Sequence, residues 1–384
     1  MGQVKDRLYD AQLFAITMPR DNAALRLLDA SNAFNPSNFG TGTDNKFAFN
    51  SIQNRNFRYL ANTILNAGYV QFDNKFSEGL RVVWGLRVED FDQLVGSVKK
   101  WDPRHTYSKV TDYLPGVNAT IKVGDKSNLR ITGSQTVIRP ELRELSALSI
   151  YDFDLNASVS GNPSLKRTKI TNTDLRYEVY PAAGELFTVG VFYKNFENPI
   201  ESIYQEGSGG SSLFSFQNVS KATAFGLEAE ARKKLSKRFT LQANASYINS
   251  KINDAALNVS RSLQGQSPYI INTGLLYDVV EKGFNATVLF NQIGKRIYLV
   301  GDIQAGAGTP DVYEKPRSLV DFQISKKFAN NKAEIKFTIA DILNQRQIFY
   351  QNNNSDTEYD ATKDAIRLSR KFGTTYGVTI NYSL

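Results

Sequence analysis

The sequence predicts an antiparallel β-barrel that spans a membrane, and three observations lead to this prediction. Apolar and polar residues alternate one by one over long segments, and the links between these segments are alternately short and long. Aromatic residues make up 12% of the chain although its mean hydropathy is only −0.36. This combination is typical of a barrel with one face toward lipid and one toward water. No stretch approaches the roughly 18 uninterrupted apolar residues of a membrane-spanning helix.

The alternation has a period of two, which indicates strands with two unlike faces. From Leu80 to Val88 every second residue is apolar, whereas Arg81, Arg87 and Glu89 lie on the opposite face. Segments 174–179 and 225–232 repeat this design. An arginine or lysine that faced lipid at the bilayer midplane would cost about 2–4 kcal/mol. We therefore expect nine charged residues to face the lumen: Arg81, Arg87, Glu89, Asp174, Arg176, Glu178, Glu228, Glu230 and Arg232.

The lengths of the segments and of their links favour an outer-membrane barrel. Counting from Thr63 gives about 12 to 14 strands of about 10 or more residues, which is the length that a tilted strand needs to cross a bilayer. Short turns are expected at 75–79, 123–127, 235–238 and 280–283. Long polar loops are expected at 92–112, 139–168, 197–222, 249–268, 296–316 and 346–373. Outer-membrane barrels have short periplasmic turns and long extracellular loops. The interpretation is a polar lead-in and outer loop over 1–62, followed by barrel strands over 63–384.

A soluble β-sandwich or a β-solenoid is the alternative fold, since both also alternate. No fixed repeat of about 20–50 residues supports a solenoid. A sandwich core would be built from bulky aliphatic residues, whereas the segment from Phe239 to Tyr247 has small alanines between aromatic ends, as in an aromatic girdle.

Composition gives little support to an enzyme or to a nucleic-acid-binding protein. The chain has no cysteine and one histidine, His105, which lies in a polar segment that predicts a surface loop. The formal charge of +8 comes from lysines and arginines that are dispersed among acids, so no nucleic-acid partner is expected. No cofactor or metal site is expected either. Asp152 and Asp154 are candidates for calcium, although such a pair is more often solvated.

Ten segments resemble, in the same order, parts of TonB-dependent outer-membrane receptors, particularly the Bacteroidota-type members. Among them are Trp84-Gly-Leu-Arg-Val-Glu89, Gly161-Asn-Pro-Ser-Leu165 and Ala340-Asp-Ile-Leu-Asn344. The other segments are 69–76, 113–118, 129–145, 174–178, 218–228, 266–272 and 313–317. The end, Tyr382-Ser-Leu384, is similar to the assembly signal of outer-membrane proteins, although that signal prefers an aromatic last residue and Leu384 departs from it. The resemblance covers nearly the whole chain.

The resemblance implies an outer-membrane importer that takes up a scarce ligand with TonB-coupled energy. Complete members of the family have an N-terminal signal, a coupling box, a plug domain and a barrel of about 22 strands. The sequence shows none of the first three, so residues 1–384 are expected to form the C-terminal part of such a barrel, as a natural truncation, a gene fragment or an engineered piece. The implied partners are outer-membrane lipid, the absent plug and N-terminal strands, and a TonB-type protein that acts through the plug. A substrate-binding lipoprotein is a further partner that the resemblance allows.

Two other functions stay open at this point. A passive porin-like channel would need no plug, and a barrel enzyme would need a catalytic group at its rim. The lumen charges are as consistent with simple solvation as with contact to a plug. Siderophore, glycan, peptide and cobalamin all remain candidate ligands.

Overall fold

The computed structural model describes residues 2–10, 13–17, 21–41, 44–52, 58–152, 157–206, 212–254, 259–301, 309–330, 332–352 and 358–382. Strands dominate these ranges, and the helices within them are α1 (Ala23–Arg26), α2 (Ala30–Ala33) and α3 (Leu142–Leu145), with 3-10 turns at Pro36–Asn38 and Val280–Lys282. No helix in the same ranges has the length and apolar character that crossing a membrane requires. The prediction of an all-β protein is confirmed.

The strands, in chain order, are β1 (Gly2–Asp10), β2 (Leu13–Thr17), β3 (Phe39–Gly40), β4 (Phe47–Ile52), β5 (Arg58–Ser77), β6 (Leu80–Gly96), β7 (Thr106–Gly124), β8 (Ser127–Ile138), β9 (Ser149–Asp152), β10 (Ala157–Ser160), β11 (Thr168–Val179), β12 (Leu186–Glu197), β13 (Ile200–Glu206), β14 (Ser212–Asn218), β15 (Lys221–Lys234), β16 (Phe239–Asp254), β17 (Val259–Arg261), β18 (Tyr269–Val279), β19 (Phe284–Ile293), β20 (Arg296–Gly301), β21 (Val312–Glu314), β22 (Arg317–Phe328), β23 (Ala333–Ala340), β24 (Gln347–Gln351), β25 (Ala365–Arg370) and β26 (Thr375–Tyr382).

Most of the long strands form one antiparallel sheet of 15 strands. Its path is β1-β5-β6-β7-β8-β11-β12-β15-β16-β18-β19-β22-β23-β26, and β17 pairs with the end of β16. Each strand on the path pairs with the next one along it, which is the up-and-down connectivity of a membrane barrel. Within the described ranges, β1 and β26 each pair on one side only. The path has 14 strands, and the 13 from β5 onward lie within the 12 to 14 predicted from Thr63.

The register places apolar side chains of neighbouring strands next to one another on one face of this sheet, which we call the apolar face. Leu175 on β11 lies opposite Ile131 on β8 and Val191 on β12, and Val191 lies opposite Leu227 on β15. Leu227 is 46% exposed and Val378 on β26 is 68% exposed. Each such side chain that stays in water forgoes about 1.5–3 kcal/mol of hydrophobic free energy, and contact with lipid removes that cost. The apolar face therefore fits the expected lipid-facing surface.

Short turns join the strands of the main sheet at one edge, as predicted. Glu78 and Gly79 separate β5 from β6, and Asp125 and Lys126 separate β7 from β8. At the Val280–Lys282 turn, Gly283 has φ of +56°, a conformation that a residue without Cβ adopts without strain. We call this edge the turn edge and the opposite edge the loop edge.

The long links at the loop edge are folded, in contrast to the generic polar loops that the sequence indicated. Four of the six predicted loops supply the eight strands of a second sheet, ordered β25-β24-β21-β20-β13-β14-β10-β9. Its core contains Tyr204, Phe214, Leu299, Val312 and Phe349, all buried. The segment between β1 and β5 forms a third sheet, β2-β4-β3.

The predicted loop 92–112 is wrong at both ends, because β6 continues to Gly96 and β7 begins at Thr106. These strand ends have polar residues on both faces, so they lack the alternation that marks a strand in lipid. The strands also begin earlier than Thr63, since β5 starts at Arg58 and β1 precedes it. At about 3.3 Å per residue, the 20 residues of β5 span more than twice the apolar band of about 25 Å, so they extend beyond the bilayer.

Candidate functional site

The nine charged residues that the sequence assigned to the lumen lie on the face opposite to the apolar face, which we call the polar face. A single register row connects Arg81 on β6 to Arg176 on β11 and Glu228 on β15, passing through Thr120, Arg130 and Gly190. Each of the other six charged residues lies on the same strand as one of these three and is separated from it by an even number of positions. Because the side-chain period of a strand is two, one row fixes the face of all nine.

Several of these residues are paired across neighbouring strands. The Arg130 Nε donates to Glu178 Oε1 at 2.8 Å, and Arg81 Nε donates to Asp73 Oδ1 at 2.9 Å. The Arg176 Nη2 lies 3.7 Å from Glu228 Oε2. Thr132 donates to Asp174 at 3.0 Å. Glu230 and Arg232 line a cavity of about 700 Å³ near the turn edge. These contacts hold the charges on the polar face in fixed positions.

The most buried charges on the polar face form a network near the loop edge. Arg139, just after β8, donates through Nη1 to Glu89 Oε2 at 2.7 Å and through Nη2 to Asp112 Oδ2 at 2.6 Å. The Arg167 Nε donates to Asp112 Oδ1 at 2.8 Å, and Arg87 Nε donates to Glu89 Oε1 at 2.6 Å. The Asp112 side chain is only 2% exposed. Charge-assisted bonds of this kind are strong when they are buried, because little water competes for them.

The network fastens both ends of one loop to the polar face. Arg139 begins and Arg167 ends the segment that joins β8 to β11, which we call the inserted loop (139–167). Its Leu145 and Leu165 pack in a buried cluster with Val95 of β6, which lies on the same face as Glu89. The loop therefore folds over the polar face and not over the apolar one. A cavity of about 430 Å³ lies between the loop and the sheet.

The loop has an internal frame of its own. The Arg143 guanidinium donates to the carbonyl oxygens of Leu148 and Val159 at 2.7 and 2.6 Å. Glu141 and Glu144 form a reciprocal capping box at α3. A Cβ on Gly161 would lie 2.3 Å from the Ser146 carbonyl oxygen, so the backbone passes too closely there for any side chain.

The other half of the polar face, from β16 to β26, has few charges and many amides and hydroxyls. Asn272 Nδ2 donates to Asn244 Oδ1 at 2.8 Å, and Asn291 Nδ2 donates to Asn272 Oδ1 at 2.5 Å, which makes a ladder across β16, β18 and β19. Asn244 therefore lies on a wet strand face. The polar face therefore has a charged half and a neutral, hydrogen-bonding half.

The second sheet, β25-β24-β21-β20-β13-β14-β10-β9, which we call the loop sheet, is held by buried pairs as well as by its apolar core. Arg261 on β17 donates to both carboxylate oxygens of Glu201 on β13, at 2.9 and 2.5 Å, and the Glu201 side chain is 1% exposed. The Arg296 Nε donates to Glu314 at 2.6 Å. Gln264 donates to the Ser202 and Tyr298 carbonyl oxygens, which connects β13 to β20. The loops thus form a single folded layer at the loop edge.

The remaining candidates are His105, the calcium pair and the C-terminal assembly signal. His105 lies in the β6–β7 loop with Nδ1 2.6 Å from the Ser97 carbonyl oxygen. Within the described ranges no three His, Asp or Glu side chains are grouped to hold a metal ion. Asp154, of the calcium candidate pair, and Leu384, of the assembly signal, lie outside the described residues. Tyr382 ends β26 and is 66% exposed on the apolar face.

Sequence reasoning missed Asp112, Arg139 and Arg167. Each lies inside or at the border of a segment that was interpreted as an unstructured polar loop. Asp112 stands opposite Glu89, so it has the alternation expected of a β7 residue on the polar face. This alternation was the available indication that Asp112 belongs to the strand. Nothing in the local sequence shows that Arg139 and Arg167 return to the same carboxylate.

The sequence matches a family model described as the outer membrane protein beta-barrel family, over residues 25–377. No curated protein matches the sequence.

Solved structures with a similar fold include receptors that are named for siderophores or ferric catecholates. The ferric enterobactin receptor from Pseudomonas aeruginosa aligns with 91% of this chain and 57% of its own, with a TM-score of 0.54 and 13% identity. The siderophore receptor PirA from Acinetobacter baumannii aligns with 90% and 57%, with a TM-score of 0.56 and 14% identity. The ferric-catecholate import receptor Fiu from E. coli K12 aligns with 87% and 46%, with a TM-score of 0.59 and 12% identity. This chain spans about half the length of these receptors, and the likeness is one of fold.

Proposed function

The chain belongs to the outer membrane protein beta-barrel family, and from this membership we propose that it forms the wall and outer loops of an importer coupled to a TonB-type protein. In this proposal it is the C-terminal part of a Bacteroidota-type receptor barrel of about 22 strands. A plug domain and further strands complete the barrel, and the coupling protein acts through the plug. The fold of the solved receptors and the resemblance of ten segments support the proposal.

The observation that carries the proposal is the difference between the two faces of the main sheet. The apolar face has no charged side chain along the middle of β15, where Phe225, Leu227, Ala229 and Ala231 follow one another. The polar face of the same strand has Glu228 and Glu230. A sheet with such faces separates lipid from an aqueous path. Transport through that path is the function that this arrangement can perform.

The inserted loop narrows the path near the loop edge in this proposal. It covers the polar face of β5 to β7 and is fastened there by Arg139 and Arg167. The charged half of the polar face is the surface that a plug would contact, since its arginines and carboxylates offer charge-assisted bonds. The loop sheet lies where a ligand would first meet the protein. A substrate-binding lipoprotein would dock on the same side.

Energy coupling distinguishes an importer from a passive channel. Cells that express the gene together with its neighbouring sequence should accumulate one ligand from a panel of ferric siderophores, oligosaccharides, peptides and cobalamin. An uncoupler of the proton gradient should abolish this accumulation, because the plug moves only when the inner-membrane motor pulls it. A strain without the gene is the control.

The chain alone provides the complementary test. An open edge in lipid leaves backbone groups unpaired at several kcal/mol each, so the 14-strand path should need partner strands from the rest of the barrel. Refolded alone in detergent, it should give no uniform pore. A monodisperse, protease-resistant barrel with stable conductance in planar bilayers would instead identify a complete passive channel.

A further inference from the structure

The charges at the turn edge are distributed unevenly between its two halves. In the β5–β12 half, the acids of the three turns are each paired with a lysine, one of which belongs to β15. Lys126 in the β7–β8 turn donates to the Pro181 carbonyl oxygen at 2.7 Å. Lys75 lies 2.8 Å from Glu78, Lys122 lies 3.5 Å from Asp125, and Lys233 reaches across to Glu185 at 2.9 Å. The turns in this half therefore present little net positive charge.

In the other half, three adjacent turns carry cations without acidic partners. These turns join β15 to β16, β18 to β19 and β22 to β23. Four of these cations lie in the turns themselves, and Lys326 lies at the end of β22 on the apolar face. Within the described residues, no carboxylate lies within ion-pair distance of any of them. We call these cations the basic rim: Lys237, Arg238, Lys282, Lys326 and Lys332.

The acids near these turns do not offset the basic rim. Asp278 and Glu334 have the parity of the polar face, since they share it with Asn272 and Thr338 on their strands, so they point away from lipid. Glu281 is the one acid in the three turns themselves. Among the residues of the three turns and the outward-facing Lys326, five cations therefore stand against one acid.

Backbone hydrogen bonds unite the three turns into one continuous rim. The Asp278 amide donates to the Arg238 carbonyl oxygen at 2.8 Å, and the Lys327 amide donates to the Gly283 carbonyl oxygen at 2.8 Å. The Lys326 ammonium donates to the Lys282 carbonyl oxygen. The cations are thus held at neighbouring positions along one edge and do not belong to separate mobile hairpins.

The basic rim adjoins aromatic side chains that mark a membrane boundary. On the apolar face, the ring centroids of Phe239 and Tyr277 are 4.7 Å apart, and those of Tyr277 and Phe284 are 6.0 Å apart. Lys326 lies in register with Phe284 and follows the apolar Ile324 on β22. Aromatic girdles lie at the level of the headgroups, and long cationic side chains extend from that level toward lipid phosphates.

We propose that the basic rim is a docking surface for the phosphate headgroups of anionic phospholipids in the leaflet that the short turns face. Charge complementarity selects the occupant. A headgroup of net charge −1, such as phosphatidylglycerol, meets five cations and one carboxylate, whereas a zwitterionic headgroup brings its own cation into the same field. The girdle beneath the rim receives the acyl chains. The surface holds one side of the barrel at a fixed depth and orientation in the membrane.

The test measures lipid selectivity and does not depend on import. The full protein is reconstituted in phosphatidylcholine vesicles that contain a trace of spin-labelled phosphatidylglycerol or spin-labelled phosphatidylcholine. The immobilised fraction of each label gives their relative affinities. The parent protein should prefer phosphatidylglycerol, and high salt should reduce the preference, because the attraction is electrostatic. Each cation removed should lower the preference by about fivefold at low salt.

Matched variants assign the effect to the rim. K237Q/K282Q/K326Q should lose most of the selectivity, whereas K75Q/K122Q, at the neutralised half of the same edge, should keep it. E281Q removes the one acid in the three turns and should increase the preference. This variant keeps every rim cation and so tests the proposal even if the triple variant folds poorly. Equal selectivity in the parent, the triple variant and E281Q, or no preference in the parent, would overturn the proposal.

Discussion

Asp112 on β7 receives the guanidinium of Arg139 at 2.6 Å, although 27 residues separate the two along the chain. The carboxylate is 2% exposed and also accepts a hydrogen bond from Arg167 at 2.8 Å. One buried side chain on a barrel strand thus fastens both ends of the inserted loop. Its removal is the most direct way to separate the loop from the polar face.

We expect D112N to release the inserted loop without unfolding the barrel. The substitution leaves Arg167 without this carboxylate and Arg139 with Glu89 alone, and breaking a buried ion pair by removing one partner costs about 3–5 kcal/mol. Hydrogen exchange of amides 140–166 should become faster, while exchange in β11 and β12 should change little. The matched control is D125N, whose side chain is fully exposed and lies 3.5 Å from Lys122. Unchanged protection of the loop in D112N would contradict the anchoring role.

The frame of the inserted loop should be equally sensitive at Gly161. A Cβ there would lie 2.3 Å from the Ser146 carbonyl oxygen and 2.6 Å from those of Arg143 and Glu144. We expect G161A to force the backbone apart, at about 1–3 kcal/mol. Limited proteolysis should then cut within 139–167. G116A is the control, since a Cβ on Gly116 meets no atom within 4 Å; cleavage at the same rate in both variants would refute the close approach.

The barrel strands could be predicted from sequence because lipid imposes a simple rule on them. Where one face is apolar, as at Leu227 and Val378, parity assigns the opposite residues to the polar face, and Glu228 lies in register with other residues of that face. The rule ends where the strand leaves the membrane. Beyond Val88, polar residues such as Asp90 and Gln93 occur on both faces of β6, so its end was interpreted as a loop although its pairing continues to Gly96.

The folding of the loops could not be predicted because it depends on contacts between distant segments. Tyr204, Phe214, Leu299 and Phe349 come from three different loops and meet in one core. Each belongs to a short apolar run inside a polar segment, and such a run does not show which other run it packs against. The same holds for Arg261, whose partner Glu201 is 60 residues away. The strands of the main sheet could therefore be predicted from the sequence, but the folded loop sheet at the loop edge could not.

Tyr350 in the core of the loop sheet should make the stability of that layer depend on alkaline pH. Burial, with Asp364 nearby, raises the pKa of Tyr350 to about 12 from 10.0. Because the folded state holds the proton more tightly, stability from this group is complete below pH 10 and is lost as the pH rises toward 12. Proteolysis of the loops should therefore accelerate over this interval.

The variant Y350F separates this effect from general alkaline damage. The Tyr350 hydroxyl is buried and has no hydrogen-bond partner among the described residues. Removing it should raise the free energy of unfolding of the loop layer by about 1 kcal/mol and abolish the contribution of this group to the pH dependence. Reduced stability of Y350F at neutral pH would show that the hydroxyl has a partner after all.

The last strand provides the sharpest test of the two faces, because adjacent residues of similar size point in opposite directions. Val378 on β26 lies opposite Phe337 on the apolar face, whereas Thr379 lies opposite Lys336 on the polar face. An arginine at Val378 would face lipid at a cost of about 2–4 kcal/mol near the midplane, but an arginine at Thr379 would face water. We expect V378R to reduce the heat-modifiable, membrane-integrated form strongly and T379R to leave it nearly intact. Equal assembly of the two variants in outer-membrane fractions would show that β26 does not have its apolar face in lipid.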